Sequence, residues 1–578
     1  MNPEAPTAEL RRVAGTELPW AADQAMRHSS GVTLGARPLA SAASPERAGT
    51  GSRSATGRHS KPPSAPRVSL APLGLLCVLT VQAVLSLRLI WSNTAFLDEA
   101  TYLYVGHNEL AHWLTGSSVP AYPTYLSGAP VIYPPLVALA NDHGGLAAAR
   151  VLSLCFMLGA TSMLWGMTSR LADRRSAFFA ASFFAALGPT QYLGAFATYD
   201  AMALFLMTAA AWCVVAAGNR ADSTVLLLGG AGLLALANAT KYATGLFDPV
   251  IIALAALSVA DKRGIKPAMG RCGYLAVISI GLLSVLLALG GPLYVTGILS
   301  TTVARVSGGS SPLVVMTDSA RWTGVVCLIA ALAVAVAALA RRDRVQVAIF
   351  ALLAASGVLV PLNQARIQTT TSLSKHVDFG AWFAAAAAGY AIARLTRIGP
   401  RKQLHVATTA LALGAVVVPV GIVGRAQAGD FFQIWPNSSE VTRTLRSLTR
   451  SHPGNYLAED FDVEAYYLED SIRWDRWSNT WYFSYTKPGT TRPVTGPAAY
   501  RAAIDNHYFS LIILDFGDTA SMDHSITQDI RSAGDYHVIA EAPYWDKFGT
   551  GRFTIWAYQP RPGNGQPRTD PMRPRGQR

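Results

Sequence analysis

Residues 68–102 read VSLAPLGLLCVLTVQAVLSLRLIWSNTAFLDEATY. The first 23 of them, 68–90, are almost wholly apolar, with Arg88 as the sole charge. About 20 such residues cross the hydrocarbon core of a bilayer as a helix. Two carboxylates follow at once, inside Phe96-Leu97-Asp98-Glu99-Ala100-Thr101-Tyr102. At the end of a membrane helix a carboxylate is partly stripped of water, a setting suited to a general base that takes a proton from a hydroxyl. The same pair also reads as a solvated acidic patch beside the headgroups.

The pattern repeats along the chain. Further apolar runs lie at about 146–169, 177–196, 201–217, 224–240, 243–259, 274–296, 321–340, 345–362, 377–393 and 405–423, eleven in all. Pro189, Pro249 and Pro292 interrupt them, as neighbouring membrane helices tolerate. With the N-terminus inside, the inner loops receive 15 of the 22 basic residues of 68–424, among them Arg170, Arg174, Arg175, Arg220, Lys262, Arg263, Arg341, Arg342 and Arg401. That bias is the one the positive-inside rule expects. The reading is a polytopic α-helical membrane protein of about 11 transmembrane helices at the plasma (inner) membrane, N-terminus cytoplasmic.

Composition agrees. Of 578 residues, 51% are hydrophobic and only 14% charged, against about 25% charged in soluble globular chains. The net charge of +13 is uneven: 1–67 and 560–578 carry +4 each, 68–424 carries +10, and 425–559 carries −5. The positive charge therefore belongs to tails and membrane-flanking loops and gives no reason to expect nucleic acid. The five cysteines all lie before residue 425, with no metal-type spacing. Residues 1–67 and 560–578 are rich in small residues, Pro and Arg and read as a disordered cytoplasmic arm and a disordered tail.

Residues 425–559 have a different texture. Strand-like runs at Tyr456–Ala458, Leu511–Leu514, Tyr536–Ala540 and Phe553–Tyr558 alternate with helical patterns near 438–450, 496–506 and 522–533. This predicts a C-terminal extracytoplasmic α/β domain.

Other residues gather at the outer ends of the runs. Tyr199-Asp200 precedes 201–217, where Asp200 reads as a helix N-cap or as a second acid. Tyr133-Pro134-Pro135-Leu136 lies in the first outer loop, where two prolines predict a stiff extended turn. Arg150-Val151-Leu152-Ser153 opens the second helix. Thr240-Lys241-Tyr242 and Ser372-Leu373-Ser374-Lys375-His376 bring cations, with Arg366 ten residues before His376. Such cations serve either as headgroup anchors or as phosphate ligands.

In this order the motifs resemble the GT-C fold membrane glycosyltransferases, on the branch of glycosyltransferase family 39, the protein O-mannosyltransferases and the lipid A aminoarabinose transferases. The residues that carry the resemblance are Asp98-Glu99, Pro134-Pro135-Leu136, Arg150-Val151-Leu152-Ser153, Tyr199-Asp200 and Thr240-Lys241-Tyr242. The resemblance covers about 68–424 and is densest in 91–245. In the aminoarabinose branch a Lys often directly precedes the two prolines and meets the donor phosphate; Tyr133 stands there in this chain, so that contact is not carried over.

The resemblance implies a polyprenyl-phosphate-linked sugar as donor. It implies attack by an acceptor hydroxyl, on glycan, lipid or protein, at the outer face with inversion. Asp98, Glu99 and Asp200 are the expected catalytic carboxylates. Lys241, Arg366, Lys375 and His376 are the expected donor-phosphate cations, and Tyr102, Tyr133, Pro134, Pro135 and Arg150 the substrate loop. No obligatory metal or other cofactor is expected. The alternatives are a polytopic transporter or lipid flippase, or a membrane scaffold that works through its outer domain.

Overall fold

Eleven apolar runs need eleven places to hide backbone polar groups, and helices satisfy them internally. In the computed structural model, which describes residues 71–218, 223–304, 307–340, 343–397 and 402–560, the described part of each run is mostly helix. The arm 1–67, the tail beyond 560, and Arg220, Arg305, Arg341, Arg342 and Arg401 lie outside the described residues.

The helices of the first part are α1 (Ala71–Leu87), α2 (Leu97–Thr115), α3 (Tyr133–Leu171), α4 (Arg174–Ala186), α5 (Gly188–Leu193), α6 (Tyr199–Ala217), α7 (Thr224–Thr240), α8 (Asp248–Arg263), α9 (Ile265–Gly290), α10 (Pro292–Ile298), α11 (Pro312–Leu339), α12 (Arg344–Ser356), α13 (Leu359–Arg366), α14 (Leu373–Leu395), α15 (Lys402–Ala412) and α16 (Val418–Phe431). Among the described residues six helical stretches are long and apolar enough to cross a membrane: α3, α6, α9, α11, Tyr242–Arg263 ending in α8, and Gln403–Phe431 running through α15 and α16; a seventh span arises if the bent pair α12–α13 counts as one. α1 and α7 are apolar but shorter. Val277, Ile280, Val285 and Leu328 stand exposed on α9 and α11, an apolar surface suited to lipid.

Two expectations change. Pro134 and Pro135 do not form an extended turn: they open α3. Proline fits the first helical turn, where its missing N–H has no partner to lose. Gly144 and Gly145 then break α3, and Arg150 starts its second half. Pro189, Pro249 and Pro292 likewise each start a new helix, α5, α8 and α10. The first outer loop is also not loop throughout, because α2 begins at Leu97 and places the two carboxylates in its first turn.

The C-terminal part follows α16, which continues past residue 424 to Phe431. It contains α17 (Ser439–Ser451), α18 (Phe461–Tyr467), α19 (Pro497–Asp505) and α20 (Ala520–Ala533). Its strands are β1 (Asn455–Ala458), β2 (Trp477–Ser478), β3 (Ser484–Thr486), β4 (Pro493–Thr495), β5 (Phe509–Leu514), β6 (Tyr536–Asp546) and β7 (Gly549–Tyr558). β2-β1-β5-β7-β6 form one mixed sheet, with β1 parallel to β2 and β5, and β7 antiparallel to β5 and β6. Alternate residues of β1 and β5 enter two cores: Tyr456, Ala458, Leu511 and Ile513 on one face, Leu457, Ile512 and Leu514 on the other. A sheet covered on both faces by helices is the α/β layer that the alternating pattern predicts.

This domain sits on the segment between α1 and the middle of α3. The α18 hydroxyl of Tyr467 accepts the Ala95 N–H (2.8 Å), and Tyr466 donates to Asn141 (2.8 Å). Thr101 donates to Asp462 (3.0 Å). The Asn93 amide donates to the carbonyls of Phe432 and Trp435 (2.7 and 3.1 Å). Tyr104 stacks on Trp474 with ring centroids 3.8 Å apart.

Candidate active site

Four chain segments distant in sequence converge at helix ends. Asp98 is the second residue of α2 and Asp200 the second of α6. Lys241 sits where α7 ends in an extended residue, and Lys375 in the first turn of α14. α14 starts at Leu373, so Lys375 and His376 lie inside the helix rather than ahead of it. Its N-terminal partial charge adds to theirs.

The Lys375 ammonium donates to Asp98 Oδ2 at 2.6 Å and stands 4.0 Å from Asp200 Oδ2. The Lys241 ammonium lies 2.7 Å from Asp200 Oδ1, and His376 Nε2 3.8 Å from the same oxygen. Asp200 is not the N-cap of α6: Thr198 holds that position, and its hydroxyl donates to Asp200 Oδ2 at 3.0 Å. Asp200, Lys241 and Lys375 are buried, whereas the Asp98 side chain is 31% exposed. Asp98 is thus the carboxylate of this cluster that an acceptor can reach.

Aromatic rings frame the cations. Lys241 lies over the Tyr199 ring at 4.6 Å, and Lys375 5.5 Å from the Phe196 centroid. Tyr199 packs against Tyr102 (4.6 Å) and edge-on to Tyr133 (6.5 Å). Tyr102 and Tyr133 are buried and shape the wall. Lys241 needs a glycine elsewhere. A Cβ on Gly128 would stand 2.0 Å from the Thr240 carbonyl oxygen, and that close approach lets Ser127 accept the Tyr242 N–H (3.0 Å) and Ala129 donate to Ala239 (2.8 Å).

Glu99 has a separate partner. Its carboxylate accepts Arg150 Nε (2.8 Å) and Nη2 (2.6 Å), the Ala197 N–H (2.8 Å) and the Phe96 N–H (3.0 Å). Arg150 also donates to the carbonyls of Ile90, Asn93 and Thr94 (2.6, 3.0 and 3.0 Å) and lies over the Phe432 ring at 5.3 Å. Both side chains are fully buried. Glu99 and Arg150 therefore join the end of α1, the start of α2, the α5–α6 connection and the entry to the C-terminal domain. In this role they hold Asp98 in place. Breaking one partner of such a buried pair costs about 3–5 kcal/mol. Glu99→Gln is expected to lower the melting temperature of the detergent-solubilised protein sharply, where Asp98→Asn leaves it almost unchanged.

Arg366 stands apart, exposed at the end of α13 and donating to Asn363 at 3.1 Å. Pro134 and Pro135 pack the α2–α3 contact, where a Cβ on Gly106 would stand 2.0 Å from the Pro134 carbonyl oxygen. Two acids near the cluster were not among the expected site residues. Asp378, one turn beyond Lys375, accepts from Thr190 at 2.7 Å. Asp462 of the C-terminal domain bonds Thr101, and burial pushes its carboxyl up to about 6. The first carried no signal against a helix background, and the second lies in a helix too short to show a period.

No described protein family matches the chain, and no curated protein matches it in sequence. Solved structures do. ArnT from Cupriavidus metallidurans bound to undecaprenyl phosphate aligns with a TM-score of 0.53 at 13% identity, over 84% of this chain and 97% of that one. The Archaeoglobus fulgidus oligosaccharyltransferase tethered to an acceptor peptide aligns with a TM-score of 0.52 at 13% identity, over 84% and 74%. The same archaeal enzyme, AglB, in complex with an inhibitory peptide and a dolichol-phosphate gives 0.52 at 12%. The chain thus has the fold of these membrane enzymes, the GT-C fold that its ordered motifs resemble.

Proposed function

We propose that the protein is a membrane glycosyltransferase that moves a sugar from a polyprenyl-phosphate donor to an acceptor hydroxyl at the outer face. The observation that carries this reading is the cluster of Asp98, Asp200, Lys241 and Lys375 at the ends of four helices in this fold. ArnT bound to undecaprenyl phosphate and AglB with a dolichol-phosphate support the lipid-phosphate class of donor.

The chemistry follows from the charges. The acceptor oxygen attacks the anomeric carbon as the bond from that carbon to the phosphate oxygen breaks. The phosphate leaves with the electron pair and needs cations, not an acid. Lys375 and Lys241, with His376 beside them, supply them. Asp98 takes the acceptor proton. In the resting site Lys375 bridges Asp98 and Asp200; a donor phosphate draws its ammonium away and frees Asp98 as base. Two ammoniums already neutralise the two carboxylates, so the reacting centre needs no metal ion. The charged groups sit at helix ends rather than at mid-span, which favours transfer over transport.

The test compares the cell-envelope glycans and the polyprenyl-phosphate sugar turnover of membranes from a deletion strain, the parent, and strains complemented with wild type or Asp98→Asn. One glycan lost on deletion and restored by wild type alone is expected. Unchanged glycans, with no turnover of any polyprenyl-phosphate sugar by the purified protein, overturn the reading.

The orientation belongs to the same proposal. The cation bias of the loops puts the outer domain outside. Protease added to wall-stripped cells is expected to cleave within 432–560, and inverted vesicles to protect it. The opposite pattern reverses the topology.

A further inference from the structure

The outer domain has a second cluster of acids, away from the lysines. Carboxylate oxygens of Glu459, Asp515 and Asp523 all lie within 4.8 Å of one another. Glu459 follows β1, Asp515 follows β5, and Asp523 lies in the first turn of α20, so the sheet's C-terminal edge brings them together. Part of this cluster has a local explanation. Glu459 accepts the N–H groups of Gly517 (2.9 Å) and Thr519 (2.5 Å), and Asp523 accepts the Phe516 N–H (3.1 Å). These bonds shape the 515–519 loop but leave three carboxyl groups facing one another.

A fourth carboxylate supplies an independent observation. Glu464 of α18 is 3% exposed, and its Oε2 has no hydrogen-bond partner. It lines a cavity of about 30 Å³ whose walls also include Glu459, Asp460 and Asp515, with Phe96 and Leu97 from the membrane domain. A buried carboxylate oxygen without a donor costs several kcal/mol unless it takes up a proton or meets a cation. The cavity has room for about two water-sized species at roughly 10–15 Å³ each.

We propose that Glu459, Asp515 and Asp523 bind a divalent cation, Ca²⁺, beside the cavity that Glu464 lines together with Glu459 and Asp515, at the seam between the outer domain and the segment leading to Asp98. The donor set is all oxygen, which selects a hard cation. Oxygens on opposite sides of a Ca²⁺ at about 2.4 Å stand about 4.8 Å apart, and carboxylate oxygens of Glu459, Asp515 and Asp523 lie within that distance of one another. Ca²⁺ accepts irregular coordination, completed by water or backbone carbonyls, where Mg²⁺ demands an octahedron. The ion would tie the 515–519 loop to the start of α18, the helix whose Asp462, Tyr466 and Tyr467 grip the first outer loop. It takes no part in the transfer step, and the site stands apart from the glycosyltransferase reading.

The test uses full-length protein in detergent, stripped with a chelator and titrated with Ca²⁺ alone by calorimetry. Terbium luminescence sensitised by Trp481, whose indole donates to Asp460 at 3.0 Å, gives a second readout. One saturable site per chain is expected, with Glu464→Gln and Asp515→Asn each weakening binding at least about tenfold, the lower end for a metal site stripped of one supporting contact. The melting temperature of wild type is expected to rise with Ca²⁺. Absence of saturable binding up to millimolar Ca²⁺, or equal affinity in wild type and both variants, overturns the site. If neither variant folds, a wild-type melting temperature indifferent to Ca²⁺ overturns it. Neither readout needs donor or acceptor, so failure here leaves the transfer reading standing, and failure of transfer leaves this site standing.

Discussion

Asp98→Asn is expected to abolish sugar transfer while the protein still folds and still binds donor lipid. The substitution keeps volume and one carbonyl oxygen, and Glu99 with Arg150 continues to hold the first turn of α2. What disappears is the group that accepts the hydroxyl proton. Loss of a positioned general base costs about 10²–10⁴ in rate. The measurement is turnover per folded protein in proteoliposomes with a polyprenyl-phosphate sugar, alongside donor binding. Wild-type turnover in well-folded Asp98→Asn would remove Asp98 from the role. Asp200 would not replace it, being fully buried and already held by Lys241.

The second large effect concerns the ammoniums. Lys375→Gln and Lys241→Gln are each expected to reduce specific activity by about 10²–10³, because a developing phosphate charge in a dry site loses a preorganised partner. Lys375→Gln also removes the group that bridges Asp98 and Asp200. Arg366→Gln serves as the comparison: it is exposed and bonded to Asn363, and its loss is expected to leave more than about half the activity, since an exposed charge contributes little. Headgroup anchors would behave otherwise, changing expression and not turnover. If both lysine variants keep most of their specific activity, the phosphate assignment fails.

Much of this was legible from residues alone, for identifiable reasons. A membrane helix must be apolar along its whole length, so hydropathy marks each run, from Leu73 in α1 to Val423 in α16. The outer strands showed because β5 reads Phe-Ser-Leu-Ile-Ile-Leu, a short apolar run buried on both faces. The prolines misled: Tyr133-Pro134-Pro135 has the composition of a turn and becomes one only if no helix follows. The partner of Glu99 was hidden as well. Arg150 lies 51 residues away, and only packing shows that its guanidinium turns inward to Glu99 and three carbonyls instead of toward substrate. Asp98 and Glu99 are neighbours in sequence with opposite surroundings, because successive helix residues point about 100° apart. That divergence cannot be read from the dipeptide.

The span between Lys375 and Asp98 has a consequence for biosynthesis. The two are 277 residues apart in the chain, and the bond between Asn93 and Phe432 spans 339. Chains emerge from the ribosome N-terminus first and domains fold in that order. Glu99 and Arg150 can pair early, and Asp200 with Lys241 soon after. Asp98, however, waits for Lys375 until α14 has been inserted, and its loop waits for the outer domain until translation is nearly done. A stalled or truncated nascent chain therefore carries an incomplete set of charges at this cluster.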